Sequence, residues 1–206
     1  ELNALHIKNL SKSYGDRQLF THLNLDVQAG QKVLIKGPSG CGKSTLFRLI
    51  TGEEIADEGE IIGVTTVNEC TSSFVSSIGI ISQHPFLFND TVRYNLTLGQ
   101  EFSEEELLAV LKQVKLDLEL TGGLDFIIKN NGENISGGQR VRIELARFLL
   151  RKKNLLLADE VTAALDKENA FMVHELLFSL PVMMLEIAHH IDDESRYQQV
   201  VDLGKY

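Results

Sequence analysis

The run GPSGCGKS, Gly37 to Ser44, fits the pattern G-x-x-x-x-G-K-[ST]. It lies between a strand-like apolar run and a helix-like one, the context that pattern requires. Glycines there permit turn dihedrals and let backbone N–H groups close around phosphate oxygens. A helix starting near Lys43 adds the positive end of its dipole. The expected ligand is a nucleoside triphosphate, with Lys43 at its β- and γ-phosphates and the Ser44 hydroxyl on Mg²⁺.

Two further stretches could serve the same ligand. NLLLADE ends on Asp159 and Glu160. Its continuous apolar run reads as a parallel strand buried on both faces, whose carboxyl end is where open α/β sheets meet ligands. Alone, two acids after a strand also describe a solvated strand end. Downstream of a phosphate loop they read as chemistry, with Asp159 on Mg²⁺ and Glu160 as general base for the attacking water. GENISGGQRVRIELARF, Gly132 to Phe148, holds no nucleophile or metal ligand. Ser136 and Gln139 are spaced as a capping box, so a helix starts there, and Gly137 and Gly138 leave its N–H groups sterically open. Such an end is either an ordinary capped helix or a second anion site. Val141, Leu145, Phe148 and Leu149 form its apolar stripe, with Arg140, Arg142, Glu144 and Arg151 off it.

The elements that must position these residues follow from hydrophobic period. ALHIKNL, HLNLDVQ and KVLIKG alternate as strands, and KSTLFRLITG follows as a helix with Gly52 at its C-cap. GEIIG and IGIIS are further strands, separated by a Ser/Thr-rich stretch from Thr65 to Ser77. From about Phe86 to Leu150 the pattern turns helical, with SEEELLAVLKQV opened by a Ser103/Glu106 capping box. NLLLA and VMMLEIA return to strand around the helix DKENAFMVHELLFSL. The layout is α/β, interrupted by a helical insertion.

With 206 residues, 43% hydrophobic and 24% charged, the chain is an ordinary globular one. Its net charge of -9 argues against a nucleic-acid surface. Cys41 and Cys70 make no disulfide framework. No apolar run is long enough to span a bilayer. The chain opens on Glu1 and its first Met is Met172, so a longer gene product is expected.

In these motifs the chain resembles the ATP-binding cassette (ABC) family. GPSGCGKST, Gly37, Pro38, Ser39, Gly40, Cys41, Gly42, Lys43, Ser44 and Thr45, is similar to its Walker A loop. LLLADE is similar to its Walker B strand, and ISGGQ to its signature motif. The resemblance implies a P-loop NTPase core, a mixed sheet with flanking helices and an N-terminal antiparallel β subdomain, over about residues 1–85 and 152–206. A helical signature subdomain is implied over about 86–151. Tyr14 matches the adenine-stacking aromatic, although a turn-packing tyrosine also fits that place. Gln83 matches the glutamine that contacts Mg²⁺, the attacking water and the membrane partner. Asp166 matches the D-loop aspartate, and His189 the switch histidine at the γ-phosphate. His190 is given no role.

The family pattern implies head-to-tail dimers in which each ATP is completed by Ser136, Gly137, Gly138 and Gln139 of the other domain. The segment HPFLFNDTVRYNL resembles that of exporters whose ATPase domain is fused to a transmembrane domain. This implies an exporter's ATPase at the cytoplasmic face of a membrane, with the transmembrane part ahead of Glu1. A stand-alone ATPase subunit of an importer or other multi-subunit ABC transporter is the alternative. Departures are Ile135 for the usual Leu, Ala163 for Ser, and Asn130 where such exporters often carry Glu. The last puts the usual coupling contact to the membrane partner in question.

Overall fold

The structure is a computed structural model. It describes all residues except 1, 67, 68, 71, 72, 189, 190 and 192, and side chains at all the others except 69, 70 and 73. His189, His190 and the side chain of Cys70 therefore lie outside the described residues. In chain order the elements are β1 (Leu2–Tyr14), β2 (Arg17–Gln28), β3 (Lys32–Lys36), α1 (Lys43–Thr51), β4 (Glu58–Thr65), β5 (Glu69–Cys70) and β6 (Ile78–Ser82). They continue with α2 (Val92–Thr97), α3 (Glu104–Gln113), α4 (Gly137–Leu150), β7 (Leu155–Asp159), α5 (Lys167–Ser179), β8 (Met183–Ile187) and β9 (Gln199–Asp202).

The chain divides into two compact units. The first comprises residues 1–80, 153–160 and 181–206. It holds an antiparallel sheet in the order β2-β1-β4-β5 and a second sheet in the order β6-β7-β8-β3-β9. In the second sheet β7 with β8, β8 with β3, and β3 with β9 all pair in parallel. KVLIK reads as alternating in sequence, yet Lys32 to Ile35 are all buried, because a central parallel strand is covered on both faces. Leu5, Ile7, Leu10, Phe20 and Leu23 of the antiparallel sheet pack with Leu46 and Ile50 of α1 and with Ile35, Leu157 and Leu185 of the parallel one. Each such side chain contributes about 1.5–3 kcal/mol by leaving water. This core fixes the strand ends from which the phosphate loop and the acids project. β9, with only four residues, was not anticipated from the pattern.

The second unit comprises residues 81–152 and 161–180. Its core includes Leu96 of α2, Leu107 and Leu111 of α3, Val141 and Leu145 of α4, and Val173 and Leu177 of α5. Ser103 caps α3, with Glu106 returning the bond, as the sequence predicts. Residues 161–180 cluster with this helical unit, where α5 lies against α4. Among the described residues no helix is long and apolar enough to cross a membrane.

Candidate functional site

In the first unit β3 runs into the glycine-rich loop. Gly37, Gly40 and Gly42 all hold positive φ, at 145°, 76° and 103°. Gly42 is also pressed against the core: a Cβ there would lie 3.1 Å from the Phe20 ring and from Leu19. Gly42 is the N-cap of α1 and supplies no side-chain cap, so the helix start keeps its N–H groups for a ligand. Lys43 is buried, and its Nζ donates to the carbonyls of Gly37 at 2.9 Å and Pro38 at 3.1 Å. The ammonium thus folds back over the loop. Ser44 is exposed, whereas Thr45 is buried, and its Oγ1 accepts from Arg48. Pro38 and Ser39 are exposed, and Cys41 is half-buried, packing on the core.

Strand register brings the acids level with this loop. Ile187 of β8 is the partner of both Ile35 in β3 and Asp159 in β7. Asp159 therefore ends its strand beside the start of the phosphate loop. Burial pushes the Asp159 carboxyl above the usual range, and the charge of Glu160 adds to this; Lys43 pulls the other way. Glu160 sits in the left-handed region at φ 50°, while its N–H extends the ladder by donating to Ile187 O at 2.9 Å. A non-glycine residue held there costs of the order of 1 kcal/mol, which the surrounding structure must impose.

Tyr14 and Arg17 face each other across the two-residue turn between β1 and β2. The Tyr14 hydroxyl donates to Glu54 Oε1 at 2.6 Å, and this bond is the main reason the Glu54 carboxyl is held low. Lys12 Nζ lies 5.2 Å from the Tyr14 ring centroid, and Tyr14 is 43% exposed. Arg17 was not singled out by its sequence. Its Nη2 donates to Gly40 O at 2.8 Å, placing a guanidinium on the phosphate loop. Only the hairpin register, which sets it opposite Tyr14, could have signalled this.

In the second unit the Ser136/Gln139 capping box forms as expected. Ser136 Oγ accepts from the Gln139 N–H at 3.1 Å, and Gln139 Oε1 accepts from the Ser136 N–H at 2.9 Å. Its glycines have a second reason to be glycine. A Cβ at Gly137 would lie 2.8 Å from Leu165 Cδ2, and one at Gly138 would lie 2.5 Å from Asn169 Oδ1. Asp166 caps α5 by accepting from the Asn169 N–H and Nδ2, and these bonds hold its carboxyl low. Gly138 and Asp166 thus both neighbour Asn169.

Behind this end lies a pair the sequence did not reveal. Arg142, which the helical period places off the apolar stripe, is only 1% exposed. Its Nη1 and Nη2 donate to Glu119 at 2.8 and 2.6 Å, and Nη1 also donates to Lys115 O at 2.7 Å. Glu119 in turn accepts from Gln139 Nε2 at 3.1 Å, and the Arg142 bond is the first cause of its lowered pKa. Gln83, directly after β6, is half-buried. His189 lies outside the described residues.

Comparison with known proteins identifies the family. Residues 20–163 match the family described as ABC transporter. An ATP-dependent lipid A-core flippase of Francisella tularensis is 38% identical over 95% of this chain and 34% of its own length. A Bacillus subtilis protein, the uncharacterized ABC transporter ATP-binding protein YwjA, is 33% identical over 97% of this chain and 39% of its own length. A solved bacterial Atm1-family ABC exporter with ATP bound superposes with a TM-score of 0.82 at 29% identity, over 99% of this chain and 38% of its own. The chain thus spans between a third and two fifths of the length of these relatives. With residues 20–163 matching that family and relatives 33–38% identical over nearly the whole chain, it belongs to the ABC transporter family, as an ATPase domain.

Proposed function

We propose that this domain hydrolyses ATP to drive export by a membrane transporter of which it is one part. The observation that carries this is the strand register that sets Asp159, with Glu160 after it, level with the end of β3 from which the Lys43 loop runs. The phosphate loop binds the triphosphate through backbone N–H groups. Lys43 exchanges its carbonyl acceptors for β- and γ-phosphate oxygens, and Tyr14 stacks on the base. Glu160 accepts a proton from water as that water attacks the γ-phosphorus, and ADP leaves with the bridging oxygen.

The donor set suits Mg²⁺: the Ser44 hydroxyl and the Asp159 carboxylate are hard oxygen ligands of the type this ion takes. When bound, the ion neutralises charge on the β- and γ-phosphates. Gln83 as a further ligand, and His189 at the γ-phosphate, are proposed on motif order.

Ser136, Gly137, Gly138 and Gln139 complete the site of a second cassette, a copy of this chain or a paralogue. Asp166, tied to Gly138 through Asn169, belongs to that same contact. The exporter reading rests on the FNDT segment and on relatives named as a flippase and an exporter. A membrane partner docks beside Gln83. Support for this comes from Phe86, Phe88 and Tyr94, which are 62%, 41% and 39% exposed and stack edge to face at 5.1 and 5.6 Å. Such an exposed aromatic cluster suits a protein interface.

The test is turnover and nucleotide binding in Glu160→Gln. Lost turnover with retained ATP affinity supports the assignment, and unchanged turnover would sink it.

A further inference from the structure

Helix α4 holds the segment that carries Gln83 from both sides. Ahead of it, the Ser82 N–H donates to Glu144 Oε2 at 3.0 Å. Beyond it, Arg147 Nη1 donates to Phe86 O at 2.8 Å. Glu144 and Arg147 stand three residues apart on α4, so they share one helix face. Arg147 is itself anchored, since its Nε donates to Asn95 O and its Nη2 to Asn95 Oδ1 at 3.0 Å. Asn95 is fully buried, and its Oδ1 also accepts the Phe88 N–H at 2.8 Å. The backbone from Ser82 to Phe88 is thereby fixed to one helix and its buried neighbour, independently of strand pairing.

Glu144 is an expensive way to satisfy one N–H. Its burial pushes the carboxyl up against the pull of Arg147. A small apolar residue would avoid that penalty but would leave the Ser82 N–H without this acceptor. Five and eight residues before Glu144, at the start of the same helix, lie Gln139 and the Ser136 cap. A helix is stiff over two turns, so whatever moves Gln83 through Ser82 and Phe86 also moves the Ser136-capped end.

We propose that Glu144 is a positioning residue for hydrolysis, locking the backbone of Gln83 to the helix that presents Ser136 to Gln139. This rests on the reading of Gln83 and the α4 end as nucleotide-contacting motifs. Membrane-side movement of the Phe86 segment then reaches the far ATP site through α4 as one body.

The experiment compares Glu144→Ala, Glu144→Gln and Gln83→Ala, singly and as the Gln83→Ala/Glu144→Ala double variant, in the full chain. Glu144→Ala is expected to lower kcat about tenfold with KM for ATP within about twofold, as for a misplaced catalytic contact. Glu144→Gln keeps an oxygen acceptor for the Ser82 N–H and is expected to restore most of kcat. In the Gln83→Ala background, Glu144→Ala is expected to add little, because both changes remove one coupled contact. Hydrogen exchange at the Ser82 amide should rise in Glu144→Ala and stay slow in Glu144→Gln. Wild-type kcat in Glu144→Ala overturns the proposal, as do equal losses in the Ala and Gln variants or full additivity with Gln83→Ala. If the Ala variant does not fold, Glu144→Asp, one methylene too short, is read by the same criteria. Gln83→Ala with unchanged kcat would overturn the reading of Gln83 itself, a separate failure.

Discussion

The starts of α1 and α4 are both glycine-rich helix N-termini, and they are built in opposite ways. At α1 the cap is Gly42, with no side-chain bond, and Lys43 leans on the loop carbonyls of Gly37 and Pro38. At α4 the cap is a closed box between Ser136 and Gln139, backed by Glu119 and the buried Arg142. An open end can wrap a phosphate by itself. A closed end leaves only the N–H groups of Gly137 and Gly138 outside the box, together with the Ser136 hydroxyl proton, because Oγ acts in the box as acceptor. The first suits a site that binds alone, and the second suits a preformed edge that completes a site held elsewhere.

That contrast can be broken from either side. The largest expected effects come from the α1 unit. Lys43→Ala should weaken ATP binding by the monomer at least a hundredfold in a fluorescent-nucleotide titration, the scale of losing a charged phosphate contact. Glu160→Gln should leave that titration unchanged and lower kcat by about 10²–10⁴. Next, Gly137→Leu should abolish hydrolysis while monomer affinity stays within about twofold of wild type, because the new side chain meets Leu165 and Arg140, neither of them in the phosphate loop, and a partner's phosphate. Equal damage to monomer binding would show that the two ends do not differ as described.

Smaller effects sharpen the comparison through stability. Glu119→Ala leaves the Arg142 guanidinium buried without its carboxylate, and should lower unfolding free energy in urea by about 2 kcal/mol. That lies below the usual loss for a broken buried pair, since Arg142 keeps backbone acceptors and Glu119 is partly exposed. Asp159→Asn should act in the other direction, stabilising by about 1 kcal/mol at neutral pH while abolishing turnover. The sign follows from its raised folded pKa. The carboxyl favours the fold when protonated, below its ordinary value, and that contribution is lost as pH rises through the raised one. The gap in melting temperature between wild type and Asp159→Asn should therefore close as pH falls. A gap independent of pH would contradict it.

Much of this was legible in the chain before any coordinates. The phosphate loop, both capping boxes and the Gly52 C-cap are hydrogen-bond patterns closed within a few residues, so their spacing alone specifies them. Strands β1 and β2 were visible because burial of one face imposes a period of two, and β7 and β8 because burial of both faces calls for a near-continuous apolar run. The burial of Arg142 was not legible, because helical period reports which residues are apolar and cannot show that a distant carboxylate such as Glu119 comes to meet an arginine.

The sequence by itself determined the chemistry on offer: a phosphate loop, paired acids after an apolar strand, and a second helix start open to an anion. Tertiary structure decided which groups stand together. It set Asp159 level with the loop through Ile187, laid Arg17 on Gly40, gave α5 to the helical unit, and closed Glu144 onto Ser82. Local hydrogen bonds are fixed by spacing along the chain, whereas these contacts join residues far apart in sequence and exist only once packing has chosen the chain's path.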